Sequence, residues 1–400
     1  MEKIQFIKRV SHDPEKDPDS ISRCCAENVS AVSDLQCLSG DMEMQHVDLE
    51  NRPTWATGIL KTSRGPVYTT SHRLTWVDYF GEIKSRMSGF RMKYSIPPGL
   101  YAVGKPGSDS DILVTANYKL SFDKLRVHLK GQHVWILVLN TNSINVWCAA
   151  GKGTFGTAEL VKRMHEARLD FLVTHRKIIL PQLSAPGVNA AEVRKQTGFR
   201  VYYGPVCAKD IGDYMKSGYT ATDEMRTIQF SLLDRLVLTP MELNPAMKKF
   251  PLFAVLLLLI SGLSPDGIIF RDAWAMGMPL LVLGIVAVIS GAFLTPVFLP
   301  FIPFRSFAVK GFIMGLISVA LTLQLIGGLN NDHVLMGLTA YLFFPLVSSY
   351  IALQFTGSTT FTGMSGVQRE LKISIPLYIT GIVLSVVLLI IFKIQLWGII

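Results

Sequence analysis

The chain has 400 residues, 49% of them hydrophobic and only 17% charged, with a formal net charge of +9. Nearly every charged residue precedes Lys249, and 250–400 is a succession of long apolar runs, which excludes one ordinary soluble domain and implies at least two regions. The positive charge comes without a basic run interleaved with aromatics, so nucleic acid is not the expected partner, and attraction of juxtamembrane cations to anionic membrane lipid is.

Residues 1–55 are rich in charge and poor in periodicity, and read as a poorly ordered N-terminal extension. The opening MEKIQFIKRVSHDPEKDPDS lacks the uninterrupted apolar core of a secretory signal, so the polar half is expected to stay in the cytoplasm. All five cysteines (Cys24, Cys25, Cys37, Cys148, Cys207) lie in the polar half with no CxxC spacing, which fits a reducing compartment. The Cys24–Cys25 pair reads as incidental thiols, with transient binding of a soft metal as the alternative.

From residue 56 to about 245 a cytoplasmic α/β domain is predicted. Short runs of branched residues at Leu100–Val103, Ile112–Ala116, Val134–Asn140, Lys177–Leu180 and Arg200–Tyr203 read as buried strands. Between them lie helical patterns, with Leu160, Val161, Met164 and Ala167 on one face of TAELVKRMHEA and a later helix over Ala190–Gln196. Alternating strands and helices imply a Rossmann-like domain with a largely parallel sheet, whose ligands bind beyond the carboxyl ends of the strands.

That rule points to Asn145–Thr157, NVWCAAGKGTFGT, which leaves the strand VWILVLN. A thiol stands beside two alanines and is followed by glycines at 151, 153 and 156, so a large flat group could approach the backbone closely. If Asn145 caps a short helix, Cys148 falls in its first turn, where the helix dipole favours thiolate over thiol, and a thiolate is a strong soft ligand. GKGT is not a nucleotide loop, because Lys152 is followed by Gly153 and no glycine stands at the required earlier position. A nucleophilic cysteine with His165 or His175 as base, and a buried cysteine in a tight turn, both stay open on spacing alone.

Membrane crossings are counted from runs of about 20 apolar residues. Residues 273–304, 311–329, 334–355 and 373–392 are charge-free, and a weaker fifth, Phe250–Phe270, is interrupted by Pro265, Asp266 and Gly267. Five transmembrane helices over 250–400 are therefore expected. Lys248, Lys249, Arg305, Lys310, Arg369 and Lys372 fall on one face, against Arg271 beside Asp272 and the sequence Asn330–His333 on the other, so the N-terminal domain is placed in the cytoplasm and the C-terminus outside. Four of the five runs lack ionisable residues, which argues against an ion-coupled carrier. Met278, Met314 and Met336 read as apolar filler, with soft metal ligands as the alternative.

The thirteen residues NVWCAAGKGTFGT resemble the cap-helix signature of the mercury-methylating corrinoid protein family (HgcA). The segments VTANYKLSFD, LPQLSAPGV, GFRVYYGPV and DRLVLTPMEL, and the order of a corrinoid domain followed by five membrane helices, are similar to that family over about residues 55–400. The resemblance implies a corrinoid (cobalamin-type) cofactor bound with its own base displaced and the Cys148 thiolate as lower ligand of cobalt. A histidine ligand in a D-x-H-x-x-G loop is absent from the sequence. On the same grounds Asn145, Val146, Trp147, Cys148, Ala149, Ala150, Gly151, Lys152, Gly153 and Thr154 form the cofactor-binding segment. Val146 and Trp147 would pack the helix on the sheet, Ala149 and Ala150 leave room for the corrin face, and Lys152 reaches an amide or phosphate. The implied activity is methyl transfer to Hg(II), giving methylmercury, with a methyl-folate donor. The chain lacks closely spaced iron–sulfur cysteines, so a ferredoxin-like partner (HgcB type) is implied as reductant. The alternative is a membrane-tethered corrinoid methyl carrier of one-carbon metabolism with another acceptor, and a cofactor-free redox receptor using Cys148 is a third reading.

Overall fold

The computed structural model describes residues 52–63, 65–87, 89–265, 267–326, 334–355 and 364–399. Residues 1–51, with Cys24, Cys25, Cys37 and most of the expected extension, lie outside the described residues, as do Asp266 and Asn330–His333. The chain divides into two compact units, Met1–Gly81 with Met92–Ile228, and Glu82–Arg91 with Gln229–Ile400.

The first unit runs β1 (Ala56–Thr62), β2 (Gly65–Thr70), α1 (Trp76–Met87, ending in the second unit), β3 (Gly99–Val103), β4 (Ile112–Ala116), α2 (Lys119–Val127) and β5 (Val134–Leu139). It continues with α3 (Val146–Lys152), α4 (Thr157–Glu166), α5 (Leu169–Leu172), β6 (Lys177–Leu180), α6 (Ala190–Thr197), β7 (Arg200–Tyr203), α7 (Ile211–Lys216) and α8 (Asp223–Arg226). Seven strands form one sheet in the order β1-β2-β3-β5-β4-β6-β7.

Strands β5, β4, β6 and β7 are parallel, but β1 pairs antiparallel with β2 and β3 antiparallel with β5. β2 and β3 also pair in parallel, so four of the six strand pairs are parallel and the sheet is largely parallel, with two antiparallel pairs in its β1–β5 part. The connection over residues 104–111 is too short for the crossover of about a dozen residues that parallel strands need, so the chain reverses between β3 and β4. Every residue of β4 and β5 is buried. Their side chains alternate between two cores, Trp135, Leu137 and Leu139 on one face and Ile136 and Val138 on the other, as expected of a strand covered on both sides.

One buried polar network crosses from α1 to α2. Lys119 Nζ donates to Asp78 Oδ1 and Asp123 Oδ2, both at 2.6 Å, and Arg126 donates to Asp78 Oδ2 at 2.8 Å and Asp123 Oδ1 at 2.7 Å. Arg126 also binds the Ser71 and Arg73 carbonyls. Burial would raise the Asp78 carboxyl, but the Lys119 hydrogen bond, the Thr75 amide and the charges of Lys119 and Arg126 outweigh it and lower it to about 2. The Asp78 carboxyl therefore stays ionised in this buried network at neutral pH.

The second unit is helical. Its helices are α9 (Leu232–Gly262), α10 (Phe270–Ile289, running on through a π turn at Ser290–Leu294 into α11, Thr295–Val297), α12 (Phe307–Leu325), α13 (Val334–Gln354) and α14 (Met364–Leu396). Among the described residues five helices are long and apolar enough to cross a membrane, by length and composition. The first begins well before the apolar run. Ser231 and Asp234 form a reciprocal capping box, and the helix passes through Pro240, Pro245 and Pro251 before ending at Gly262. The Pro265 interruption falls after that end, in the turn between α9 and α10.

Small residues set the packing of this bundle. A Cβ at Gly315 would lie 2.7 Å from Ser348 Cβ and 2.9 Å from Pro345 Cα, and Gly311 and Gly291 meet α13 as closely, so backbone-to-backbone approach replaces side-chain interdigitation. Ser348 and Ser349 then donate to the Gly311 and Ala308 carbonyls at 2.9 and 2.7 Å. The helices also include cations outside the apolar runs, Lys310 and Lys393 directly beside one and Arg235 well ahead of the first. Arg235 binds the Pro296 and Val297 carbonyls, Lys310 binds Leu299 O, and Lys393 binds the Ser261 and Leu263 carbonyls. Each occupies acceptors left open where a helix ends.

Candidate functional site

The site grows from the carboxyl end of β5. The chain leaves Leu139 into a loop in which Asn142 and Ser143 adopt positive φ of 55° and 61°, a conformation uncommon outside glycine. Asn117, just past β4, holds it there. Its Oδ1 accepts from the Thr141 amide at 3.0 Å and the Ser143 amide at 3.1 Å. The Thr141 hydroxyl lies 2.9 Å from the same oxygen and 2.7 Å from Ile144 O, so its one proton is shared between them. Asn117 and Thr141 are both buried, where unsatisfied amides would be costly.

This loop delivers Asn145, whose side chain accepts the Cys148 amide at 2.9 Å and starts α3. Gly153, at φ 80°, ends the helix after seven residues and returns its amide to Ala150 O. Gly156 and Gly187 are then required by contact. A Cβ on Gly156 would lie 2.7 Å from Gly153 O, and one on Gly187 would overlap Phe155 O and stand 3.0 Å from Ala150 Cα. Phe155, wholly buried, anchors the far end of the turn in the core and donates its amide to Ala149 O.

The expected segment is therefore one capped helix and its exit turn, but its residues divide differently from expectation. Ala149 and Ala150 are 0% and 5% exposed and face the core, so their small size serves close packing of α3 on the sheet and leaves no open face beside them. Val146 packs partly against that core. Trp147 does not join it and lines a cavity instead. Cys148 is half-buried and forms no disulfide, while Asn145, Gly151, Lys152 and Gly153 are exposed and Thr154 is half-buried.

The cavity, about 260 Å³, opens at the carboxyl ends of β4 and β6. Asn145, Val146 and Trp147 form one wall, Pro181 and Leu183 another, and Gly204 and Val206 a third. Gly204 sits 3.2 Å, measured from where a Cβ would be, from Ile179 Cγ2, so a larger residue there would narrow the opening. Burial pushes the Tyr203 phenol up, and its hydroxyl donates to Val188 O at 2.8 Å, tying the end of β7 to the segment that follows β6. Sequence reasoning missed Asn117, Thr141 and Gly204. Only the rule that ligands sit past the strand ends signals them, each standing just after the strand before it.

Neither histidine proposed as a base comes to Cys148. His175 precedes β6 and binds Ser110 O at 2.9 Å, at the amino end of a parallel strand set whose carboxyl end carries α3. His165 is exposed in the last turn of α4. Among the described residues no group of three His, Cys, Asp or Glu side chains could hold a bare metal ion.

Residues 91–215, just under a third of the chain and including this whole site, match the family described as CO dehydrogenase/acetyl-CoA synthase delta subunit. Curated relatives include the acetyl-CoA decarbonylase/synthase complex subunit gamma of Archaeoglobus fulgidus, 28% identical over 131 residues that cover 32% of this chain and 27% of that protein. The same subunit of Methanocaldococcus jannaschii is 27% identical over 131 residues, covering 32% and 26%, and the gamma 2 subunit of Methanosarcina thermophila is 31% identical over 121 residues, covering 29% and 25%. The matched part spans about a quarter of the length of these relatives, and none of the helices α9 to α14 lies inside the family segment 91–215.

Proposed function

We propose that this chain is a membrane-tethered corrinoid methyl carrier in which Cys148 is the lower ligand of cobalt. The observation that carries the reading is the placement of a half-buried cysteine in the first turn of a capped helix, next to three residues that wall a cavity at the strand ends. The likeness to subunits of acetyl-CoA decarbonylase/synthase complexes supports one-carbon chemistry. The residues fit the group. A cavity of about 260 Å³ is too small for a corrin ring but would take the displaced nucleotide arm. Having no cage of its own for a bare ion among the described residues, the chain suits a metal that arrives already chelated.

A bound corrinoid supplies a cobalt that accepts a methyl group from a donor and passes it to an acceptor. This chain's residues bind and tune it. Asn145 fixes the turn that carries Cys148, Trp147 and Leu183 give the cavity an apolar lining, and the exposed Lys152 would be available to a polar or phosphate group of the corrinoid. An anionic sulfur donates more electron density to the metal than a neutral imidazole, favouring departure of the methyl with its electron pair. That polarity favours a second, narrower reading, in which the acceptor is the electrophile Hg(II) and the product methylmercury, as the resemblance of NVWCAAGKGTFGT implies. In either case a methyl-folate-type donor and a ferredoxin-like iron–sulfur reductant act with the chain.

The test is purification with a corrinoid followed by substitution. The wild type should carry a cobalt chromophore, and Cys148→Ala should retain the corrinoid with an altered spectrum and lose methyl transfer at least about a hundredfold, as for the loss of a group that tunes the reacting atom. Cys148→His should keep a coordinated cobalt and lose most activity. An undiminished rate for folded, corrinoid-loaded Cys148→Ala makes Cys148 structural. Assays with Hg(II) and with a one-carbon acceptor separate the two acceptors.

A further inference from the structure

Helix α1 is amphipathic the wrong way round for a helix packed on a soluble core. Its buried stripe is Asp78, Gly81 and Ser85, where Asp78 joins the ion network and a Cβ at Gly81 would overlap the Tyr94 ring. Its exposed stripe is Trp76, Phe80, Ile83 and Met87, at 81, 69, 54 and 45% exposure. The spacing i, i+4, i+7, i+11 places these four on one face, and Val77 and Tyr79 widen it. Single exposed apolar side chains are ordinary, but a contiguous stripe led by two aromatics marks an interaction surface.

The end of the same helix lies near the start of the first apolar span. Asn244 Nδ2 donates to Met87 O, and Arg91 NH1 lies 2.8 Å from Met241 Sδ. Asn244 precedes Phe250 by six residues, about 9 Å along a helix axis, so the end of α1 is held at headgroup depth if α9 crosses a bilayer. Cations cluster at that level. Lys84 is exposed beside the apolar stripe, and Arg91, Lys248 and Lys249 belong to the same two segments, while Arg86 is paired with Glu82 at 3.0 Å. An apolar face flanked by basic residues at headgroup depth matches a helix lying in the plane of an anionic membrane surface.

We infer that α1 is an interfacial helix that inserts Trp76, Phe80, Ile83 and Met87 into the headgroup boundary of an anionic bilayer. The inference rests on reading α9 to α14 as membrane spans. It adds a second attachment, one on the polar side of the chain rather than within the bundle, through which lipid charge would hold α1 in place.

The test uses the full chain in nanodiscs of phosphatidylcholine and phosphatidylglycerol, with acyl chains either plain or brominated near the headgroup. The difference in emission between wild type and Trp76→Phe isolates Trp76, and the remaining emission includes Trp274 of α10 and Trp397 just past α14, the tryptophans that belong to the proposed spans and their ends. Quenching of the Trp76 component by brominated lipid, with protection from aqueous acrylamide, is expected, and replacing phosphatidylglycerol by phosphatidylcholine should weaken both. Unquenched Trp76 with quenched span tryptophans overturns the inference alone. Absence of quenching for all of them overturns the span reading instead. A Trp76 signal that is insensitive to lipid but shifts blue with protein concentration assigns the face to a second copy and equally overturns it.

Discussion

Asn145 Oδ1 accepts the Cys148 amide at 2.9 Å, so the residue that starts α3 also fixes the position of its sulfur-bearing residue. With a helix of only seven residues, there is little intrinsic helical stability to fall back on if that bond is lost.

Asn145→Ala should therefore cost about 1 kcal/mol locally and expose the Cys148 amide. Hydrogen exchange at that amide should accelerate while exchange in β4 and β5 stays unchanged. Asn145→Ser keeps a capping oxygen and should restore protection. Equal protection in the alanine variant would show that the cap is dispensable.

Asn117→Leu removes the acceptor that satisfies two amides at once, the buried one of Thr141 and the half-buried one of Ser143. With about 1–3 kcal/mol for each unsatisfied group, the loss should far exceed that of the cap variant. Chemical denaturation in detergent measures it, and weaker corrinoid retention at temperatures where the sheet is intact should accompany it.

The Asp78 network sets an acid limit. The folded carboxyl lies at about 2, below an unfolded value of about 3.9, so its contribution of about 2.5 kcal/mol is fully present above pH 4 and is lost as pH falls through 2. Arg126→Met leaves two buried carboxylates short of a partner and should destabilise by about 3–5 kcal/mol at neutral pH. Thermal melts of both proteins between pH 3 and 7 check the sign and the size.

If all five apolar helices cross a membrane and the N-terminal unit faces the cytoplasm, a reporter fused after Ile400 is expected outside the cytoplasm. A cytoplasmic signal would remove one crossing, and α9, with three internal prolines, would be the first to re-examine.

Much of the site was legible because it is local. The cap, the cysteine, the terminating glycine and the exit turn all lie within Asn145–Thr157, and the sequence order of those residues is the structure. What was not legible depends on partners far along the chain. Asn117 reaches Thr141 across 24 residues, and Gly187 meets Ala150 and Phe155 from beyond β6, so neither follows from any window of sequence. The direction of β3 escaped for a related reason. Its composition matches a parallel core strand, whereas its orientation is set by the length of the connection to β4. The long reach of α9 back to Leu232 escaped because the apolar run that marks a span begins only at Phe250, although the Ser231–Asp234 pair that starts the helix was in plain sequence.

The β5–α3 loop acts as a phase setter. Each residue of a helix turns its neighbours by about 100°, and α3 is too short to average out an error. One residue inserted or deleted between Asn140 and Ile144 would leave the sheet, the cavity floor and the composition of α3 intact. It would nonetheless rotate the cavity-lining Val146 and Trp147 and the core-facing Ala149 and Ala150 away from their places, and Cys148 with them. The chemistry proposed for this protein thus depends on the count of residues in a loop that touches none of the reacting atoms.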